Sequence, residues 1–288
     1  MKVFIFGAGK AGTGVARGLQ RAGWSVTLRA ARRGLPRRVD ADVVIIAVRD
    51  GRIPGVAKEM CGVVPQEAVV LHLAGGLGPE ALDPLRGHCK GVGQLHPLLA
   101  FADLRRAPTL AGAFAHCCGD RAAISMGRTM AKAMGMRPAT IRGLDLGAYH
   151  AAGGLVAAGA VGLVQAGVEV LSASGVDPRR AARMLAPLLR SVAENVANLG
   201  LPRALSGVVR RGDLSRARAH LGAIERGSAS HVALYREVLK AQLPLAQELG
   251  EAAPGDLKQL SRWVNQASRW ASGARSDRVD GGSSIRGR

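Results

Sequence analysis

The chain has 288 residues, too many for one ordinary domain and about right for two. Hydrophobic residues are 48% and charged residues 21%, which excludes wholesale disorder, while only 3% aromatics leaves the core to Ala, Val, Leu and Gly. Lys and Arg number 40 against 21 acidic residues, a net charge of +19 that predicts attraction to phosphates, nucleotides or acidic surfaces but does not decide the fold.

From the N-terminus, Val3 to Phe6 is an apolar run that reads as a buried strand. It leads straight into Gly7-Ala8-Gly9-Lys10-Ala11-Gly12, and a helix is predicted from Thr13 to Ala22. A bare G-x-G-x-x-G is a weak signal. A strand before it and a helix after it make it a strong one. Gly7 permits the tight turn, Gly9 lets a pyrophosphate approach the backbone, and Gly12 lets the helix lie close to the sheet. The N–H groups at the helix start then face the phosphates with a partial positive charge.

A second strand, Ser25 to Leu28, bears on which dinucleotide is expected. NAD-binding turns usually carry a carboxylate about 20 residues beyond the glycines, where it bonds the ribose hydroxyls. Here the region contains Arg29, Arg32 and Arg33 and no acid. Each guanidinium can hold a 2′-phosphate through two N–H donors, so NADP(H) is expected over NAD(H). The third strand, Val43 to Val48, ends beside the glycine turn in a doubly wound sheet, which places Val48 and Arg49 at the cofactor. Asp50 is expected to cap the helix that follows.

Strands at Val69 to Leu73 and Gly91 to Leu95 come next, with Phe114 to Cys118 and Ala139 to Ile141 as candidate edge strands. Apolar runs alternating with helical stretches imply right-handed βαβ crossovers and an α/β, doubly wound Rossmann-like sheet. The fourth strand ends at His72-Leu73-Ala74 and the fifth at Leu95-His96-Pro97. Both ends are expected to open on the nicotinamide side, with Ala74 against the cofactor. Hydride transfer to a carbonyl or imine needs a proton donor, and histidine suits it with an ordinary pKa of about 6.5. His96 and His150 are the candidate catalytic residues. His72 is expected to point into the core, and His88, His116, His220 and His231 to be surface or structural. No metal-ligand spacing appears.

From Asp145 the chain reads as helical. One long small-residue helix covers Asp145 to Ala173, and a second runs from Pro178 to about Asn198 behind the cap Asp177. After a loop over Gly200 to Arg211, Asp213 caps a short helix, and Ser230 to Leu249 forms another. The expected division is a nucleotide-binding domain over 1–143, an all-α domain over 144–250 and a basic tail over 251–288. In that tail Leu257, Leu260, Trp263, Val264, Ala267 and Trp270 recur at helical spacing behind an Asp256–Gln259 capping box, and disorder is expected from about Ser272. Ala151 to Val164 reads as too short and too glycine-rich to span a bilayer. The start has no signal-peptide pattern and the four cysteines form no disulfide framework, so a cytoplasmic, reduced protein is expected.

Several of these motifs occur together in one order: the glycine turn, Gly75-Gly76-Leu77-Gly78, Leu95-His96-Pro97-Leu98, Phe101, Tyr149-His150-Ala151-Ala152 and Leu205-Ser206-Gly207 through Arg211-Gly212-Asp213. In this the chain, from residue 1 to about 250, resembles predicted oxidoreductases with a Rossmann-like domain and a DUF2520 helical domain. Their architecture is similar to pyrroline-5-carboxylate reductase, ketopantoate reductase and the 6-phosphogluconate dehydrogenase superfamily. The resemblance implies NADP binding, a small-molecule substrate in a cleft between domains, and a homodimer through the helical domain. It implies no particular substrate. Departures fall where relatives carry polar groups: here stand Ala74, Leu99, Ala100, Ala157 and Ala158. Lost hydroxyls and amides leave a more apolar pocket or no catalysis.

Two functions follow. One is an NADP(H)-dependent oxidoreductase acting on a small carbonyl, imine or alcohol. The other is a non-catalytic NADP-binding or sensing protein. Net charge alone raises nucleic acid as a third, and the lack of an aromatic stacking stripe or known motif argues against it.

Overall fold

The computed structural model describes residues 1–266. Ala267, Trp270 and the disorder expected from Ser272 lie outside the described residues. In the first half β1 (Lys2–Phe6), α1 (Lys10–Arg21), β2 (Ser25–Arg29), β3 (Val43–Ile46), α2 (Ile53–Glu59), β4 (Val69–His72) and β5 (Gly91–Pro97) follow in turn. The sheet is completed by β6 (Phe114–Gly119), α3 (Arg121–Ala133) and β7 (Arg137–Ala139).

The seven strands lie in the order β2-β1-β3-β4-β5-β6-β7. The first five run parallel, β6 runs antiparallel to β5, and β7 runs parallel to β6. Side chains of a strand alternate between faces. Val3, Ile5, Val43, Ile45, Val69 and Leu71 therefore pack on one side with Val15 and Leu19 of α1 and Met130 of α3. Phe4, Phe6, Val44, Ile46 and Val70 pack on the other with Ile53 and Val56 of α2 and with Leu82 and Leu85. Two covered faces are why β1, β3 and β4 read as unbroken apolar runs.

Three local expectations are corrected. Helix α1 begins at Lys10 and not at Thr13: Gly9 is its N-cap, and Thr13 is where the first full helical bond closes, its N–H donating to Gly9 O at 2.9 Å. Asp50 caps nothing with its side chain, because Asp50–Arg52 winds into a short 3-10 turn that puts Arg52 at the cap of α2. Strand β6 is interior, since β7 covers it, and β7 begins two residues early, where Arg137 N–H reaches Ala113 O at 2.8 Å.

The helical half contains α4 (Leu146–Ala173), α5 (Pro178–Leu199), α6 (Leu214–Ser228), α7 (Val232–Leu249) and α8 (Pro254–Asn265). Asp177 and Asp213 cap as expected, accepting from Arg180 N–H and Arg216 N–H at 2.9 Å each. The Asp256–Gln259 box does not form. Pro254 already occupies the first helical position, Ala253 is the cap, and Asp256 falls inside the first turn. Leu257, Leu260 and Val264 of α8 are buried with Leu205, Val209, Ala217, Leu239 and Ala246, so this helix is docked into the helical core.

Two compact units divide inside α4, at Gly159 and Ala160, and not ahead of it at residue 143. Helix α4 has 28 residues, longer than the small-residue run within it, and by length and composition it is long and apolar enough to cross a membrane. Leu71 is fully buried in the middle of the sheet. Leu71→Ala is expected to lower unfolding free energy by about 2–5 kcal/mol in urea titration with the fold retained.

Candidate functional site

The first site is built where three backbones meet. Gly7 has φ +122°, and a Cβ on it would sit 2.2 Å from Ala47 O. A Cβ on Gly12 would sit 2.1 Å from Gly7 O. Both positions admit only glycine. Gly9 differs: nothing lies within 4 Å of where its Cβ would be. Open space over Gly9, at the start of a helix with no side-chain cap and no acid in its first turn, suits an anion held by main-chain N–H groups.

A groove of about 410 Å³ starts here. Gly7, Ala8, Gly9, Val48 and Ala47 form the glycine end, and Arg32, Arg49 and Arg52 stand along the rest. Among the described residues no carboxylate lines it. Its residues fit a dinucleotide whose diphosphate lies on Gly9 and whose further phosphate meets guanidinium.

Of the residues expected here, Gly7, Ala8, Gly9, Arg32, Val48 and Arg49 line the groove. Lys10, Ala11 and Gly12 form the first turn of α1. Arg29 points its guanidinium at the loop beyond it, donating to Gly34 O at 2.6 Å and Arg33 O at 2.9 Å, so it shapes the groove wall. Arg33 is exposed and outside the lining. Ala74 is buried, its carbonyl accepting from Gln94. Arg52 was missed. Its signal was the three-residue spacing from Arg49, which the 3-10 turn converts into one side of the groove.

The second cluster lies at the ends of β4 and β5. The loop from Ala74 to Gly78 is pinned from below. His72 accepts Ala74 N–H on Nδ1 at 3.2 Å, so its Nε2 donates to Gly78 O at 3.0 Å. Buried Gln94 donates from Nε2 to Ala74 O at 2.7 Å and Leu77 O at 2.8 Å. That fixes its Oε1 as acceptor, and His116 Nδ1–H fills it at 2.8 Å. Neither His72 nor His116 is free for chemistry at those atoms. Burial holds both rings below the ordinary histidine pKa.

His96 and His150 are brought together. Nε2 of His96 and Nδ1 of His150 lie 2.7 and 2.6 Å from the Cβ position of Gly75, and the ring centroids are 6.1 Å apart. Only glycine leaves room for both. On its far side His96 Nδ1 meets Tyr149 Oη at 3.0 Å, with the rings edge-to-face. Burial, then the neighbouring His150, His116 and His72, pushes His96 down to about 4. Burial raises Tyr149 to about 12. At neutral pH both groups are therefore uncharged, and the 3.0 Å contact is compatible with the phenol donating to Nδ1, the arrangement that places the imidazole proton on Nε2, facing the Gly75 turn.

Sequence reasoning quoted Tyr149 without a role and left out Gln94. Gln94 and His96 share a face of β5, two residues apart, and His116 is the cross-strand partner of His96. The first relation was legible in the sequence. The second needed the antiparallel pairing. Among the described residues no three His, Cys, Asp or Glu side chains gather as a metal site.

Titration by NMR is expected to place His96 near 4. The sign for stability follows. Between about 6.5 and 4 the unfolded chain takes up a proton that folded His96 refuses, so stability falls as pH drops through that window. A midpoint near 6.5 would contradict the burial seen here.

Residues 114–242 match the family model described as a domain of unknown function, DUF2520. No curated protein matches the chain. Among solved structures, a Bacteroides fragilis protein named as an inferred NADP oxidoreductase aligns with TM-score 0.67 and 16% identity, covering 84% of this chain and 97% of its own. A Thermotoga maritima protein aligns with TM-score 0.64 and 20% identity over 86% of this chain and 99% of its own. Pyrroline carboxylate reductase from Plasmodium falciparum, solved with NADP bound, aligns with TM-score 0.55 and 14% identity over 84% and 98%. The superpositions, at these low identities, establish a shared fold. Residues 114–242 thus match the DUF2520 model, and the chain has the Rossmann-type fold of these proteins.

Proposed function

We propose that the protein is an NADP(H)-dependent oxidoreductase acting on a small carbonyl, imine or alcohol. The observation that carries this is the open face of Gly9 between two sterically obligatory glycines, continued by a groove bearing Arg32, Arg49 and Arg52 and no acid. The structural relatives named for NADP support the same cofactor. The main-chain N–H groups at the start of α1 hold the diphosphate, and the three arginines select the 2′-phosphate.

Bound NADPH would supply the hydride, and the substrate heteroatom must then receive a proton. His96 holds that proton on Nε2, with Tyr149 behind it setting the tautomer. A neutral imidazole gives it as a hydrogen-bond donor. His150, against the same Gly75 face, orients the substrate. Gln94 and His72 keep the Gly75 turn in place. One observation favours the non-catalytic reading: the face of α4 carrying His150 continues as Gly154, Ala157, Ala158 and Val161, with no further polar group. Bound NADPH without turnover across carbonyls, imines and alcohols would support that reading.

The partner is proposed to be a second copy. Met184, Leu188, Val192, Val196 and Leu199 form an exposed stripe along α5, and Leu155 and Val156 on α4 are 77% and 73% exposed. Apolar area left in water costs about 25 cal/mol per Å². The small residues of α4 offer a surface on which such a stripe can pack closely. All four cysteines are unpaired, which suits a reducing, cytoplasmic setting.

Two measurements test this reading. Fluorescence titration should show NADPH bound in preference to NADH, with Arg32→Ala weakening NADPH about tenfold and leaving NADH unchanged. Gly9→Val should keep the melting temperature but lose NADPH binding about tenfold or more, since its side chain enters the space meant for phosphate. Equal binding of both nucleotides, or full binding by Gly9→Val, would count against the cofactor. For the dimer, Leu188→Glu with Val192→Glu is expected to halve the mass seen by sedimentation. A wild-type monomer would remove it.

A further inference from the structure

The motif Ser206-Gly207 through Arg211 has no part in the chemistry above, yet the fold gathers it into a second cleft. Loop residues Leu205, Val208 and Val209 are buried in the helical core. Arg210 locks the loop further: its Nε and Nη2 reach both Glu251 carboxylate oxygens at 2.7 and 2.6 Å, and its Nη1 donates to Leu205 O at 2.7 Å. Arg211, next in sequence, is exposed and turned to the cleft with Ser206 and Gly207.

Helix α6 supplies Arg216 and His220, one turn apart, and its start is fixed by the Asp213 cap. Helix α7 supplies Tyr235, Leu239 and Gln242 from one face. The two helices are tied at the cleft by His220 Nδ1 and Tyr235 Oη, 2.9 Å apart. The cleft is shallow and open to solvent, with a volume of about 520 Å³. Among the described residues its charged lining is Arg211 and Arg216, with no carboxylate. Among the described residues neither guanidinium is in an ion pair. The one acid close in sequence, Asp213, is committed to the N-terminus of α6. Val208, Leu239 and the Tyr235 ring give an apolar floor.

We propose that this cleft is a binding site for a small organic acid, its carboxylate held between Arg211 and Arg216 and its apolar body against Val208, Leu239 and Tyr235. A guanidinium presents paired donors that match a carboxylate, and the loop and helix that carry the two arginines are themselves anchored, by Arg210–Glu251 and by the Asp213 cap. Ser206 Oγ and the Gln242 amide add uncharged donors at the same rim. The site lies wholly within residues 206–242, so it stands apart from the cofactor reading.

The test uses the full chain without nucleotide, followed by amide NMR during titration with benzoate, with benzamide and with inorganic phosphate. Benzoate is expected to shift the Ser206 and Gly207 amides saturably, and benzamide to leave them unmoved. Arg211→Gln and Arg216→Gln should each weaken benzoate about tenfold, the loss of a charge-assisted hydrogen bond. Arg218→Gln, exposed on α6 outside the lining, should bind as wild type. The proposal is overturned by benzamide binding as well as benzoate, by phosphate binding alone, or by equal weakening in Arg218→Gln, which would mark mere net charge. Because no nicotinamide is present, a failure here leaves the NADP reading standing, and the reverse also holds.

Discussion

Everything in the groove over the glycine turn depends on how closely three stretches of main chain approach at the end of β1. The carbonyl of Ala47 presses on Gly7, and the carbonyl of Gly7 presses on Gly12, at separations no Cβ tolerates. This contact seats α1 directly over the sheet with its first N–H groups uncovered. It also leaves Gly9 as the open position between the two closed ones. The proposed diphosphate would reach the amides because no Cβ stands at Gly9. The arginines tune what binds there, but the approach of the backbones creates the place.

The histidine cluster rests on a different kind of constraint, the directionality of hydrogen bonds. Gln94 has its amide nitrogen claimed by two carbonyls of the Ala74–Gly78 loop, so its oxygen can only accept. His116 must then donate from Nδ1, and His72 is fixed in the same way between Ala74 and Gly78. Gln94 and His72 hold the loop that faces His96 and His150. Their fixed protonation leaves His96 as the ring whose outward nitrogen is not claimed by the loop. Burial keeps that ring neutral, which makes it a donor of a hydrogen bond and not a cation competing with substrate for charge.

Two surfaces of the helical half carry the remaining chemistry. The apolar stripe on α5 and the exposed small-residue face of α4 are the wrong composition for water and the right one for close helix packing. The cleft over Arg211 and Arg216 is polar and positively charged, and it sits on a loop anchored by buried valines and by the Arg210–Glu251 fork. In a chain with so many arginines, most are solvated. What marks these two is a shared cavity, a fixed scaffold and the absence of an acid.

Composition, periodicity and turn chemistry are local properties, and what they determine was legible. The glycine turn, the parallel strands, the Asp177 and Asp213 caps and the basic character of the region after β2 are all encoded within a few residues of where they act. The positions of Arg32 and Arg49 along the groove and of His96 near the end of β5 follow from that local encoding. What only the tertiary structure decided depends on neighbours far apart in the chain. Arg52 joins the groove beside Gly7 and Arg32, and Tyr149 reaches His96 across 53 positions. His116 meets Gln94 because β6 reverses direction beside β5. A side chain's partner is set by which backbones lie alongside it, and no periodicity in the sequence carries that register.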